Sequence, residues 1–384
     1  MSSPYRFGLR TRNAVRLLEL QPGSSDDPDI HFSLRHTNLG TAKGTFEALS
    51  YTWGDTTQLV KVFCSPGNAQ LPVTRNCYDA LRSLRYPSRT RLLWIDAICI
   101  NQDDIQERNS QVLIMGNIYN AANRVVIFLG NHTPGSRLLF QHLHASTEWI
   151  ASGKDIDLLP PPTAEIVNEM YNLLARPWFS RIWVIQELYN APDPDEALFV
   201  CDDDGVPFDT IRHCIFGYHS TRVVYRLPTV LEIVIRDHDW SGAKSAAQQI
   251  LLLAAFSSLS TSTDPRDRII ALTPLIRHRS ASLQRLIDYQ KTTETLFEEF
   301  ALFLLQNVGL AMISVIHGPH SRNMPSWVPD WSSDADIERL VSYYEVFFHG
   351  YSIPGDLPTV LALPLWLRQF QPDSQAATSQ GHAL

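Results

Sequence analysis

Two acids sit beside aromatic residues in settings that suit chemistry on a sugar ring. In the segment RPWFSRIWVIQEL (176–188), Trp183 and Glu187 are four residues apart, so on a helix they share one face. An aromatic wall beside a carboxylate can hold a base while the acid contacts ribose hydroxyls. Breaking an N-glycosidic bond builds positive charge on the ribose, as in other oxocarbenium-like cleavages. A carboxylate partly desolvated by apolar neighbours stabilises that charge. The second acid, Asp96, interrupts the apolar run RLLWIDAICI (91–100). Near the C-terminal part of a strand it would stand where open α/β sheets contact their ligands. Ser50, Tyr51, Trp53 and Gly54 follow another strand-like run and can line the same crevice, as can Asn101 and Gln102.

Each of these residues also has a structural reading. Trp178 and Trp183 suit core packing, because buried aromatics contribute heavily to cores. A buried Asp96 needs a partner, and Arg176 or Arg181 would make it a latch. Glu187 suits a salt bridge or a cap. Asn101 and Gln102 suit a turn or a helix start, and Glu107-Arg108 a surface or bridging pair. His142 and His144 form a lone H-x-H with no carboxylate or cysteine partner in view, which reads as an exposed pair. Cys99 has no base beside it and makes a poor nucleophile.

The elements that would position these groups are legible in the periodicity. AVRLLEL (14–20) and IHFSLRH (30–36) read as strands around the turn-forming QPGSSDDPD. FEALSY (46–51) and LVKVFC (59–64) follow, with Gly54 as the bend between them. VTRNCYDALRSLRYP reads as a helix with Thr74 as N-cap and Cys77, Ala80, Leu81 and Leu84 on one face, ended by Pro87. The run 91–100 suits a central strand buried on both faces, flanked by 46–51 and 124–130. Asp103 and Asp104 stand where a helix N-terminus favours negative charge. Ile105, Val112, Met115, Ile118 and Ala122 then mark an amphipathic helix, and RVVIFLG (124–130) the next strand. Alternating strands and helices imply an α/β fold with a mostly parallel sheet. Beyond Pro134 the pattern is helical, broken by PPP at 160–162, with helices over 163–175 and 177–190. Residues 205–310 read as mainly helical.

Bulk properties exclude several classes. At 44% hydrophobic and 19% charged residues, the chain can bury a sizeable core. Its net charge of -8, without a Lys/Arg-rich run, argues against nucleic-acid binding. Five cysteines, an odd number without a C-x-x-C pair, argue against a disulfide framework or a structural zinc site. The N-terminus lacks a signal-peptide run, and the most apolar stretch, 250–256, is too short to span a bilayer. A reducing, cytoplasmic setting is the expectation, and the Asn131-His132-Thr133 sequon a chance match. No dinucleotide-binding glycine motif, P-loop, nucleophile elbow or zinc-protease motif occurs. No metal site is expected.

Three blocks carry a family resemblance: FEALSYTWGD (46–55), LLWIDAICINQDDIQERNSQVLIMGNIYNAANRVVIFLG (92–130) and RPWFSRIWVIQEL (176–188). In this order they resemble the fungal heterokaryon-incompatibility (HET) domain. Phe128 stands where the family usually has Trp. TDPRDRIIAL (263–272), DYQKTTETLFEEFA (288–301) and PSWVPDWS (325–332) resemble segments that often follow that domain. The resemblance implies a role in non-self recognition and cell-death signalling. It also implies a distant likeness to TIR domains, and so a flavodoxin- or TIR-like core with an N-terminal β segment and a C-terminal helical region. Several TIR domains cleave NAD with the glutamate of a W-x-x-x-E motif, and Trp183–Glu187 matches that pattern.

The expected organisation is a β-rich lead-in (1–45), a HET domain (46–190), a mainly helical associated region (191–332) and a tail (333–384) frayed at its end. Two functions follow from the resemblance. One is an interaction and assembly module with protein partners or self-assembly and no required cofactor. The other is a NAD glycohydrolase with Glu187 and Asp96 as catalytic groups. Ser50, Tyr51, Trp53, Gly54, Asn101, Gln102 and Trp183 would then form the NAD pocket.

Overall fold

The computed structural model describes residues 4–5, 8–9, 11–24, 27–153, 161–217, 227–228, 230–231, 234, 260–275, 281–308 and 323–332. The apolar stretch 250–256, much of the expected helical region and the tail 333–384 lie outside them.

Nine strands among the described residues form one sheet. They are β1 (Ala14–Leu20), β2 (His31–Asn38), β3 (Glu47–Tyr51), β4 (Leu59–Ser65), β5 (Ala69–Thr74), β6 (Arg91–Trp94), β7 (Arg124–Phe128), β8 (Leu198–Cys201) and β9 (Asp204–Pro207). Their order is β5-β4-β2-β1-β6-β3-β7-β8-β9. The centre, β6-β3-β7-β8, is parallel throughout. In chain order these four strands run 2-1-3-4, the arrangement of flavodoxin-like sheets. Antiparallel pairs close the flanks: β1 joins β6 and β2 on one side, and β8 turns into β9 on the other. The N-terminal strands thus extend the same sheet.

Sequence explains the centre. β7 is an apolar run after Arg124 with nearly every side chain buried, as a strand covered on both faces must be. Glu47 on β3 binds Arg91 of β6 at 2.6 Å and Arg124 of β7 at 2.7 Å. Burial works against its charge, but the two guanidinium hydrogen bonds prevail and hold the carboxyl below its ordinary value. One acid thereby ties three parallel strands at their N-terminal ends.

The helices among the described residues are α1 (Leu39–Ala42), α2 (Arg75–Leu84), α3 (Asp96–Cys99), α4 (Ile105–Ala121), α5 (Pro134–Ala151), α6 (Ala164–Leu174), α7 (Trp183–Tyr189), α8 (Phe208–Gly217), α9 (Asp267–Ile270), α10 (Ala281–Gln284) and α11 (Thr293–Val308). Thr74 caps α2 through the Cys77 amide, and the face Cys77, Ala80, Leu81 and Leu84 is buried as the spacing predicts. Asp104 caps α4 by accepting from the Gln106 and Glu107 amides. Ile105 lies outside the buried face, 42% exposed.

Several expectations need correction. The run 91–100 is not one strand: β6 stops at Trp94, and α3 begins at Asp96, where Ala97 N binds the Asp96 carboxylate at 2.7 Å. That local bond favours a turn over further ladder pairing. β6 is central and neighbours β3, but β3 separates it from β7. The hairpin strand β5 was not anticipated; Gly67 and Asn68 both take positive φ at its tight turn. Residues 177–190 form a 3-10 turn, Pro177–Ser180, then α7, because Arg181 is extended and bridges Thr261. The region after 191 opens with the β8–β9 hairpin before α8.

Glu107 is not a surface residue. Arg16 on β1, fully buried, donates to both Glu107 oxygens at 2.5 and 2.9 Å and to the Cys99 carbonyl at 3.2 Å. Glu107 also accepts from Asn101 N at 2.7 Å. This buried pair fixes the loop that carries Asp96 and Gln102. All five cysteines are buried and none is in a disulfide. Among the described residues no helix is long and apolar enough to cross a membrane.

Candidate active site

The carboxyl ends of β3 and β6 open into a cavity of about 920 Å³, a volume typical of small-molecule sites. Parallel α/β sheets place their ligand crevices at this edge. After Tyr51 the chain turns at Gly54, whose φ of +76° suits glycine, and carries Trp53 to the rim. After Trp94, the turn of α3 presents Asp96. α7 supplies Trp183 and Glu187.

The three sequence blocks meet here through hydrogen bonds. Ser50 Oγ donates to Glu187 Oε2. Trp53 Nε1 donates to Asp96 Oδ2 at 2.9 Å. Arg181 Nη1 donates to the Tyr51 carbonyl. Trp178 Nε1 donates to Ser50 Oγ at 2.7 Å, and Gln102 Nε2 to the Asp96 carbonyl at 3.0 Å.

Among the described residues neither acid forms a closed ion pair. Arg176, one expected partner of Asp96, instead binds the Leu129 carbonyl and Cys201 Sγ. Arg181 lowers the pKa of both acids through its charge, but it spends its hydrogen bond on the backbone. Burial dominates and raises both carboxyls. Glu187 reaches about 7, held back by Arg181 and the Ser50 and Tyr119 hydroxyls and pushed up by Asp96. Asp96 is also raised, chiefly by burial, against the opposing Arg181 charge and Trp53 hydrogen bond. An acid poised near neutral pH beside a second acid is a frequent property of reacting centres.

Of the expected pocket residues, Trp53, Gly54, Asp96, Gln102, Trp183 and Glu187 line the cavity. Ser50 and Tyr51 lie behind them in the core, and Asn101 is the turn residue whose amide Glu107 holds. Trp178 is a core residue, packed edge-on against Phe179 and Phe199. His144 is not a free pair with His142: it binds Asp204 of the β8–β9 hairpin at 2.6 Å.

The far wall escaped the sequence reading. Thr261 pairs with Ser180 and Ile182, bringing residues 261–267 against α7. Asp267 accepts from Trp183 Nε1 at 2.9 Å and from the Tyr289 hydroxyl at 2.6 Å. Burial raises its carboxyl to about 6. Arg266 grips Asp264 and the Tyr289 and Lys291 carbonyls. Arg108 Cζ lies over the Tyr289 ring, 4.2 Å from its centre. The segments TDPRDRIIAL and DYQKTTET were visible as blocks, but nothing local to them reveals which cavity they face.

Residues 46–187 match the family described as Heterokaryon incompatibility protein (HET). The chain is also similar to "Heterokaryon incompatibility protein 6, OR allele" of Neurospora crassa, at 27% identity over 305 residues. That alignment covers 69% of this chain but 41% of the relative. The chain thus spans less than half the length of this curated relative. No solved structure gives a significant match. The family match begins and ends on the strands and helix that build the cavity, from Phe46 to Glu187 itself, so the part of this chain that is similar to the heterokaryon incompatibility (HET) family is the part that frames the site.

Proposed function

We propose that this chain serves heterokaryon-incompatibility-type non-self recognition and cell-death signalling, and that its HET domain acts by cleaving NAD. One observation carries the enzymatic reading: Asp96 and Glu187 line a single cavity together with Trp53 and Trp183, and among the described residues neither acid has a closed ion pair. In the proposed reaction the bond between ribose C1′ and the nicotinamide nitrogen breaks, and its electron pair leaves with neutral nicotinamide. Water forms the new C1′–O bond, giving ADP-ribose and a proton. Ionised Glu187 stabilises the ribosyl cation, as a carboxylate does in other glycosyl transfers, and can accept the water proton. Trp53 or Trp183 supplies a face for the departing ring. The test is nicotinamide release by the concentrated full chain; a chain silent towards NAD while folded would contradict this reading.

A second reading keeps the domain as an interaction and assembly module with protein partners or further copies of itself. It is favoured by the 3% exposure of Glu187 and its bond to Ser50, which equally suit architecture. Replacing Glu187 then alters stability and assembly, with no activity to lose. In either case we place the protein in the cytoplasm, where its five buried cysteines, none of them in a disulfide, stay reduced. The TIR-like ancestry of the fold belongs to the same proposal and rests on the 2-1-3-4 order of the parallel strands.

A further inference from the structure

We infer that Arg108, stacked on Tyr289, is an anion subsite of the cavity that takes a phosphate or diphosphate group. Three features set this arginine apart. It lines the cavity from the first turns of α4. Its guanidinium lies over the Tyr289 ring, with 4.2 Å from Cζ to the ring centre. Its Nε is buried and has no hydrogen-bond partner among the described residues. A buried unsatisfied donor on a cation is costly unless something binds it.

The other cavity arginines are committed. Arg181 donates to the Tyr51 carbonyl, and Arg266 holds Asp264 and two carbonyls. Asp264 is the acid that senses the Arg108 charge. It is already bound through both oxygens by Arg266, at 2.6 to 3.2 Å, so it does not pair with Arg108. A planar guanidinium matches an oxyanion bidentately, phosphate above all. The same wall carries the hydroxyl residues Ser262, Thr263 and Thr293, further donors for such a group.

The subsite is held in relation to the two acids by a relay. Arg108 rests on Tyr289, Tyr289 donates to Asp267, Asp267 accepts from Trp183, and Trp183 lies one helical turn before Glu187. A ligand spanning the cavity therefore has a flat ring and sugar at the acids and its phosphates at Arg108. This deepens the NAD reading by naming the group that anchors the substrate. It stands on binding alone, independent of cleavage.

The experiment is a titration of the full chain with ADP, inorganic pyrophosphate and adenosine, for wild type and Arg108→Gln, with melting temperatures as a folding control. ADP is expected to bind the wild type at least tenfold more tightly than adenosine. Arg108→Gln is expected to remove that advantage and leave adenosine binding within about twofold. Arg108→Lys keeps the charge without the fork and should restore only part. Pyrophosphate binding as tight as ADP would assign the site to free phosphates and keep the inference. Equal binding of ADP and adenosine to the wild type, or ADP binding unchanged in Arg108→Gln, overturns it. If the wild type binds ADP through Arg108 but releases no nicotinamide, the cleavage reading fails and the subsite stands. If NAD is cleaved with unchanged KM in Arg108→Gln, the subsite fails and the cleavage reading stands.

Discussion

Ser50 and Glu187, 137 residues apart in the chain, share a buried hydrogen bond at the foot of the cavity. Ser50 Oγ also accepts the indole N–H of Trp178. One hydroxyl thus joins a core tryptophan to a site acid. Ser50→Ala leaves Trp178 Nε1 without its acceptor and is expected to cost about 1–3 kcal/mol in urea denaturation. It also removes a bond that lowers the Glu187 pKa, so any titration of Glu187 should move upward. A melt unchanged from wild type would show that the Ser50 bond carries no weight.

The pH dependence of stability follows from Glu187 and Asp267. Their carboxyls rise from 4.5 to about 7 and from 3.8 to about 6. An acid raised by folding keeps its proton in the fold after the unfolded chain has released it. Its contribution is fully present below the unfolded value and is lost as pH climbs to the folded value. Stability attributable to Glu187 should therefore fall between pH 4.5 and 7, and Asp267 adds a fall between 3.8 and 6. Glu187→Gln should flatten the upper part of that slope and leave the protein at least as stable as wild type at pH 8. A Glu187→Gln chain that melts early at pH 8 would point instead to a charge-paired structural carboxylate.

The buried pair Arg16–Glu107 makes a different prediction. Arg16→Met strands the Glu107 charge and should destabilise by about 3–5 kcal/mol. The double change Arg16→Met with Glu107→Leu should recover most of that loss, in a denaturation cycle run on all four chains. A single change as mild as the double would mean that Glu107 finds water or neutralises. Because Glu107 also holds the Asn101 amide, the single change should speed hydrogen exchange over residues 99–104.

The Asp267 relay is testable in the same way. Asp267→Ala removes the acceptor of both Trp183 Nε1 and the Tyr289 hydroxyl. Amides of 261–267 should then exchange faster, while those of β3 and β7 stay protected. Uniform protection across both regions would show that the far wall does not depend on Asp267.

Much of the scaffold could be read in advance, for physical reasons. β3 and β7 are apolar runs, and Thr74 and Asp104 are residues that cap helices, so local chemistry and tertiary placement agree. The meeting of Ser50, Asp96 and Glu187 came from the family blocks, since no local pattern brings residues 137 apart together. The misreadings occurred where a polar contact overrides periodicity. Asp96 folds back on the Ala97 amide and ends a run that looked like one strand. Arg181 bridges Thr261 and breaks an apparent helix. Glu107 looked solvated because its partner, Arg16, is 91 residues away. Arg108, Asp267 and Tyr289 stood in segments that the sequence singled out, but nothing local ties them to one another; only the packing of the late segments onto α7 brings them together.

Cleavage chemistry also sets a pH profile. Only ionised Glu187 stabilises a ribosyl cation, so nicotinamide release should drop about tenfold per pH unit below 7. A rate flat from pH 5 to 8 would remove Glu187 from the chemical step.

The most direct measurement is nicotinamide release from NAD by the concentrated full chain and its Glu187→Gln variant, with melting temperatures taken on the same samples. The account predicts nicotinamide and ADP-ribose in equal amounts from the wild type. It predicts a loss of about a hundredfold or more in the variant, with its melting temperature at pH 8 unchanged or higher. No nicotinamide from the concentrated wild type, together with a variant that melts early, would contradict it and leave Glu187 as architecture.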